Sequence, residues 1–286
     1  MKESHMRKIS LLRQLGTQLL LVCIGLFVIL PIWATARLAF DGSLKSRPTE
    51  FRFFPKEWST TAFMKVLDKP YQSVDFEILL KNSLIVSLSA AFIAIILGMS
   101  LAYAFARFRF PGRQIGLFAI LLTAFLPPVA FMTPLYILLT LLKIRTTLLA
   151  LVIVYAAFGM PFCIWNMRAA FQAIPKEVEE AAFLDGAGDF KTFYYITLPL
   201  ALPSIVVAGL ISFLMAYSEF AIGWLFVEKP DTVTLSMSIY AIVQSGNAQP
   251  WSYLGSLAII MSIPVVIIFI IFQRTLLERM MFGDSA

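Results

Sequence analysis

Six stretches of this chain carry no charged side chain, and each is long enough to cross a bilayer. They lie between Arg13 and Arg37, Lys81 and Arg107, Arg113 and Lys143, Arg145 and Arg168, Lys191 and Glu219, and Asp231 and Arg274. A helix needs roughly 20 apolar residues to span the hydrocarbon layer. The intervals predict spans near 16–38, 83–106, 115–141, 147–168, 202–226 and 253–273. The apolar runs do not alternate, and a lipid-facing backbone must be helical or belong to a closed barrel, so strands are a poor rival. Composition points the same way. Of 286 residues, 59% are hydrophobic and 14% charged, against about 45–50% and about 25% in soluble globular proteins. That balance excludes a soluble enzyme. With 14 Gly and 15 Pro, the chain is neither collagen-like nor disordered. The predicted fold class is an all-α polytopic membrane protein with six transmembrane helices in a single domain over 1–286. Pro127, Pro128, Pro134 and Pro264 predict kinks inside the spans.

Orientation follows from the basic residues of the short loops. With the N-terminus inside, the cytoplasmic segments hold Lys2, Arg7, Lys8, Arg13, Arg107, Arg109, Arg113, Arg168, Lys176, Lys191, Arg274 and Arg279. The short outer segments hold only Lys143, Arg145 and Lys229. The expected topology is N-in, C-in. The net charge of +6 is then explained by topology and anionic lipid head groups, and nucleic acid is not an expected partner. The basic start, Met1 to Arg13, precedes an apolar run too long for a signal peptide, so that run reads as the first span. The outer loop, about 40–81, carries Phe51, Phe53, Phe54, Trp58, Phe63 and Tyr71, a density that suits an interfacial belt or an external docking surface. Cys23 and Cys163 both read as small buried hydrophobes, and His5 is too isolated to ligate a metal.

The segment between spans four and five, about 169–200, carries most of the functional information. It reads Ile174-Pro175-Lys176-Glu177-Val178-Glu179-Glu180-Ala181-Ala182-Phe183-Leu184-Asp185-Gly186-Ala187-Gly188. Pro175 suits a first helical position. Glu177, Glu179 and Glu180 suit the positive end of a helix. Val178, Ala181, Ala182 and Asp185 fall on one face by spacing. Gly186 ends the helix. A second short helix is expected from Asp189 as N-cap through Phe190 to Ile196, with Pro199 and Pro203 leading into span five. Small alanines, a carboxylate and the aromatics Phe190, Phe193 and Tyr194 suit either a helix seated in a partner's groove or a helix lying on lipid.

Glu180-Ala181-Ala182, Asp185-Gly186-Ala187, Phe193, Ile196, Leu198-Pro199-Leu200 and Pro203 resemble the EAA signature of permease subunits of bacterial ABC importers. Asn82-Ser83-Leu84, Ala102-Tyr103-Ala104-Phe105-Ala106-Arg107 and Phe110-Pro111-Gly112 extend the likeness. Together they resemble the carbohydrate-uptake branch, the MalG-like partner in particular. The resemblance implies a type I importer permease fold in the bacterial inner membrane. It implies a heterodimer with a second permease, a dimer of ATPase subunits that binds ATP and Mg, and a periplasmic or lipid-anchored solute-binding protein. By motif position, Glu180, Ala181, Ala182, Asp185 and Gly186 would couple to the ATPase. The end of the chain, Glu278-Arg279-Met280-Met281-Phe282-Gly283-Asp284-Ser285-Ala286, departs from the Gly-rich tail of many relatives, so the resemblance leaves a tail contact with the ATPase open.

The chain has no Gly-x-x-x-x-Gly-Lys-Ser/Thr loop to cradle ATP. It also lacks the acid pair, Ser/His pair or metal triad that intramembrane catalysis requires, so no enzymatic role, cofactor or metal is expected of it. Glu219 is the one clear intramembrane charge, with Arg37 near a span end. A carboxylate in hydrocarbon must face a helix partner or a watery cavity. Tyr217, Ser218 and Glu219 are therefore candidates to line the substrate path, and the alternative is a hydrogen bond that holds two permeases together. Asn166, Gln244 and Asn247 are weaker candidates. The expected function is a sugar or oligosaccharide importer permease. Other readings are a secondary transporter or channel, an ABC permease for a polyol or glycerol phosphate, and a structural subunit.

Overall fold

The computed structural model describes residues 11–44, 48–244 and 250–282. His5 and Asn247 fall outside them, as do Lys2, Arg7, Lys8 and the last four residues. The helices are α1 (Leu11–Ala39), α2 (Thr61–Asp68), α3 (Phe76–Arg107), α4 (Arg113–Phe125), α5 (Val129–Leu141), α6 (Leu148–Ala173), α7 (Lys176–Leu184), α8 (Asp189–Thr192), α9 (Leu198–Ser218), α10 (Ala221–Phe226), α11 (Leu235–Gln244) and α12 (Trp251–Phe282). A π-helical turn, Phe193–Thr197, joins α8 to α9. Five helical segments are each long and apolar enough to cross a membrane, and α4 with α5 meets that test as a bent pair. The all-α polytopic class and the span count follow.

Two expected spans and one expected loop helix differ in detail. The span near 115–141 is not one kinked helix: Leu126-Pro127-Pro128 breaks it, and its halves meet at 102°. Two successive prolines remove two amide donors, and Pro128 also disfavours helix at the residue before it. The span near 202–226 stops at Ser218. Glu219 turns to extended backbone (ψ 135°), and α10 starts anew. The expected second loop helix does not end before Pro199. Gly188 caps it instead of Asp189, and apolar helix continues through the π turn from Asp189 to Ser218. Pro199 lies in the first turn of α9, directly after the π turn.

The chain divides into two compact units, one of 1–66 with 248–260 and the other of 67–247 with 261–286. In the second, α3, α6 and α9 pack against each other along their lengths. Their sequence permits this. Ala90, Ala94, Gly98, Ala102 and Ala106 recur every fourth residue of α3 and are buried. A ridge of small side chains lets helix backbones approach closely, which drives association where no hydrophobic effect operates. Cys163, Met167 and Phe171 of α6 and Ala201, Ile205 and Ala208 of α9 fill the same core. Hydroxyls at Ser83 and Ser87 donate back to carbonyls one turn earlier, so they are satisfied without a partner helix. Cys163 is buried as expected. Cys23 is not: it sits exposed on α1, whose apolar window has no buried residue. An all-round apolar helix has no inward face for a cysteine to occupy.

In the first unit the loop after α1 closes on Asp41, which is 1% exposed. Arg37 pairs with it across one turn at 3.4 Å. Ser43 donates through its amide and hydroxyl at 3.1 and 2.6 Å, and the Lys56 amide donates at 3.2 Å. Phe40 packs on Trp58 and Phe63, and Trp33 donates to the Phe53 carbonyl at 2.9 Å. Part of the expected aromatic belt thus folds back on the end of α1, while Phe51, Phe53, Phe54 and Trp58 stay exposed.

Two outcomes are expected. A Cβ at Gly98 would lie 2.9 Å from Cys163 Cβ, an atom fixed to backbone. Gly98→Ala therefore wedges α3 from α6 and costs about 1–3 kcal/mol, read as a lower Tm in detergent; an unchanged Tm refutes the close approach. Burial pushes the Asp41 carboxyl up, but hydrogen bonds from Ser43, Lys56 and Glu57 outweigh it and hold it below 3.8. Its contribution is present above that value and lost as pH falls through the lower folded one. Asp41→Asn should lower Tm at neutral pH, with the deficit shrinking as pH drops below 3.8; a pH-independent deficit contradicts this.

Candidate functional site

The loop helix α7 is nine residues long, and Pro175 is its cap rather than its first residue. Its end is a Schellman turn. Ala187 donates to the Ala182 carbonyl and Gly186 to that of Phe183, both at 3.0 Å. The turn requires left-handed backbone at Gly186, where φ is +83°. The face shared by Val178, Ala181, Ala182 and Asp185 is not buried as a unit. Glu179 and Ala182 are buried, whereas Val178, Glu180, Ala181 and Asp185 are exposed. Of the five coupling candidates, Ala182 thus packs inward. Glu180, Ala181, Asp185 and Gly186 form one outward edge. Beside it Leu184 is 90% exposed, and Phe190 stacks on Tyr194 with both rings open.

Glu179 was not among the sequence candidates. Its Oε2 lies 2.8 Å from Arg107 Nε, with both side chains buried. This is a close ion contact outside hydrogen-bond alignment. Its Oε1 accepts from Thr197 Oγ1 at 2.7 Å, and Arg107 Nη2 donates to the Ile174 carbonyl at 2.9 Å. The last residue of α3, the loop helix and the π turn therefore meet at one carboxylate. Tyr103 packs on Phe171 and Phe193 in the same region. No spacing rule links residues 107 and 179. The only sequence hint is that Glu179 precedes Ala182 by three, so the two share a face.

The second feature is a cavity of about 630 Å³ between α4, α5, α6, α9 and α10. Both helix breaks border it. Phe131, Met132, Phe158 and Phe162 dominate its walls, and Glu219 is the one charged group lining it. The Glu219 carboxylate accepts from the amides of Ile222 and Gly223 at 2.8 and 3.1 Å, groups that the helix break would otherwise leave unpaired. Tyr155 Oη lies next to Glu219 without hydrogen-bond geometry, and it abuts Gly223, where a Cβ would collide with it. Tyr217 and Ser218 do not join Glu219 at the cavity. Tyr217 is buried against Ala91 and Phe213 and donates to the Met261 carbonyl at 3.0 Å. Ser218 donates to Leu214 at 2.7 Å. Asn166 Oδ1 is buried without a partner, and Gln244 donates to Tyr240 at 3.1 Å. Arg37 pairs with Asp41.

A family model described as the binding-protein-dependent transport system inner membrane component matches residues 94–282. The chain belongs to that family. This permease is 33% identical over 201 residues to a probable ABC transporter permease of Pyrococcus horikoshii, covering 70% of this chain and 72% of the relative. The maltodextrin transport system permease MdxG of Bacillus subtilis is 24% identical over 276 residues, covering 96% and 97%. The trehalose transport system permease SugB of Mycobacterium tuberculosis is 30% identical over 209 residues, covering 73% and 76%. A solved bacterial ABC transporter involved in alginate import superposes with a TM-score of 0.71 at 20% identity, covering 93% of this chain and 98% of that one. The permease therefore has the importer fold, and its family role is transport, not catalysis.

Removing the Glu219 carboxylate should release the Ile222 and Gly223 amides. Loss of such a cap costs about 0.5–2 kcal/mol. Glu219→Ala should speed hydrogen exchange across residues 221–226 and leave residues 76–107 unaffected. Equal protection in variant and parent would show that the carboxylate does not hold α10.

Proposed function

We propose that this chain is the permease subunit of a binding-protein-dependent ABC importer for a sugar or oligosaccharide. It sits in the bacterial inner membrane with both ends cytoplasmic. It forms half of the translocation path beside a second permease. ATP and Mg are bound by a pair of separate ATPase subunits, and an external binding protein delivers the solute.

The observation that carries this reading is the outward edge of the loop. Glu180, Ala181, Asp185 and Gly186 present small and acidic groups, flanked by Leu184 and the Phe190–Tyr194 stack. Such an edge suits a groove on a partner. A nine-residue helix with one buried alanine has little apolar packing of its own. In this reading the edge couples to the ATPase, and Ala182 seats the helix on the bundle. Relatives named for maltodextrin, trehalose and diacetylchitobiose support a saccharide as solute. So does the solved alginate importer in complex with a pentasaccharide-bound periplasmic protein. In this reading Glu219, which lines the cavity as Tyr217 and Ser218 do not, meets the solute within walls whose aromatic faces suit a sugar ring.

The experiment is a tagged purification from native membranes in mild detergent, followed by uptake in proteoliposomes. A second permease and an ATPase should co-purify, and uptake should require ATP. Gly186→Val forces a β-branched residue into left-handed backbone, which costs about 1–2 kcal/mol. It should abolish coupled uptake while membrane insertion persists. A chain that purifies alone and transports without ATP would overturn the proposal.

A further inference from the structure

Among the acidic residues of the loop, Glu177, Glu180, Asp185 and Asp189 are exposed. Glu179 alone is buried, at 6% exposure. Its two oxygens are held by different elements. Arg107, which ends α3, takes Oε2, and Thr197, which ends the π turn before α9, takes Oε1. Arg107 also holds the carbonyl of Ile174, the residue just before the cap of α7. We propose that Arg107, Glu179 and Thr197 form the linkage through which displacement of the loop helix reaches α3 and α9 together.

The inference rests on the coupling role proposed above and adds residues outside its motif. The physical reasoning concerns stiffness. α7 buries only Glu179 and Ala182. Apolar packing cannot hold so short a helix rigidly, and an unanchored loop would absorb a push rather than pass it on. A buried ion pair behaves differently. Pulling one partner away leaves an uncompensated charge, so the pair resists separation far more than a surface contact does. The Thr197 bond is short and buried as well. Because one carboxylate holds both arms, α7 cannot shift against α3 without also shifting against α9. The π turn places Thr197 at this carboxylate while Phe193 packs on Tyr103 and Phe171. Single π turns inside helices are frequent at functional sites. From Thr197, α9 runs without interruption to Ser218, and Glu219 at the cavity follows directly. Along the way it packs on α3 and α6 through small residues. A continuous packed route therefore joins the loop to the cavity. Arg107, Glu179 and Thr197 are positioning residues on it: none of them lines the cavity.

The test uses the intact complex in proteoliposomes, with solute uptake and ATP hydrolysis measured on the same preparation. Glu179→Gln keeps the shape and an acceptor for Thr197 but removes the charge, and Arg107→Gln removes the other charge. Each should lower solute moved per ATP hydrolysed by about tenfold, within the usual range for coupling between sites. Complex yield and ATP hydrolysis should persist. The double variant restores a neutral pair and should lose less than the two single losses combined. Thr197→Val removes the hydroxyl that ties Glu179 to the start of α9, along with its weaker contact to the Thr192 carbonyl, and should lower the ratio by a smaller factor, while Thr197→Ser should keep it. A purely structural role would reduce the amount of complex at an unchanged ratio, and that outcome overturns the proposal. If the charge variants fail to assemble, Thr197→Val decides: a parental ratio overturns the linkage, and a lowered ratio supports it. An unmodified complex without ATP-dependent uptake would instead defeat the importer reading on which the linkage rests.

Discussion

A hydrocarbon layer offers no partner to a free backbone amide or carbonyl, so every interruption of a spanning helix must supply its own. Among the described residues, the spans are interrupted at 126–128 and at 219–220, and both breaks border the same cavity. At the first, proline removes the donors that would need partners. At the second, Glu219 accepts from the two amides that the break exposes. The cavity and the breaks are thus one arrangement. Irregular backbone at membrane depth is tolerated where it lines a cavity, and both breaks border one here.

The rest of the second unit is organised to keep that arrangement stiff. Small residues along α3 admit α6 and α9 at close range. Where a helix pair lacks a hydrophobic driving force, such packing is the main source of association. Hydroxyls that would otherwise be left unpaired donate to their own helix. Asn82 and Ser83, at the far end of α3, clasp the segment before α11 through the Asp231 and Val233 carbonyls and the Leu235 amide. α3 is therefore held to other elements by polar bonds at both ends, at Asn82–Ser83 and at Arg107. That makes it the natural frame against which the loop helix and α9 act.

Much of this was legible in the sequence. The charge-free intervals located the spans, because one charged side chain at membrane depth is costly enough to shape composition directly. Gly186 was legible as a helix end, because only glycine adopts that backbone freely. Glu219 stood out as a lone intramembrane carboxylate. Other features were not legible. Tyr217 and Ser218 are adjacent in sequence to Glu219, yet one faces α12 and the other its own helix. Adjacent residues of a helix point about 100° apart. Cys23 and Cys163 occupy equally apolar runs, but α1 leaves the first exposed, and the contact of α3 with α6 buries the second.

Composition and charge spacing by themselves determined that the chain is a bundle of membrane helices, how many there are, and which loop is polar enough to leave the bilayer. These are transfer properties of single segments, and a segment carries them wherever it sits. Which side of α7 turns inward is not such a property. Glu179 and Glu180 are chemically identical neighbours. Only the position of Arg107, 72 residues earlier in the chain, buries the first and leaves the second exposed. The tertiary structure decided that choice, because a buried charge is stable only where a specific opposite charge already stands.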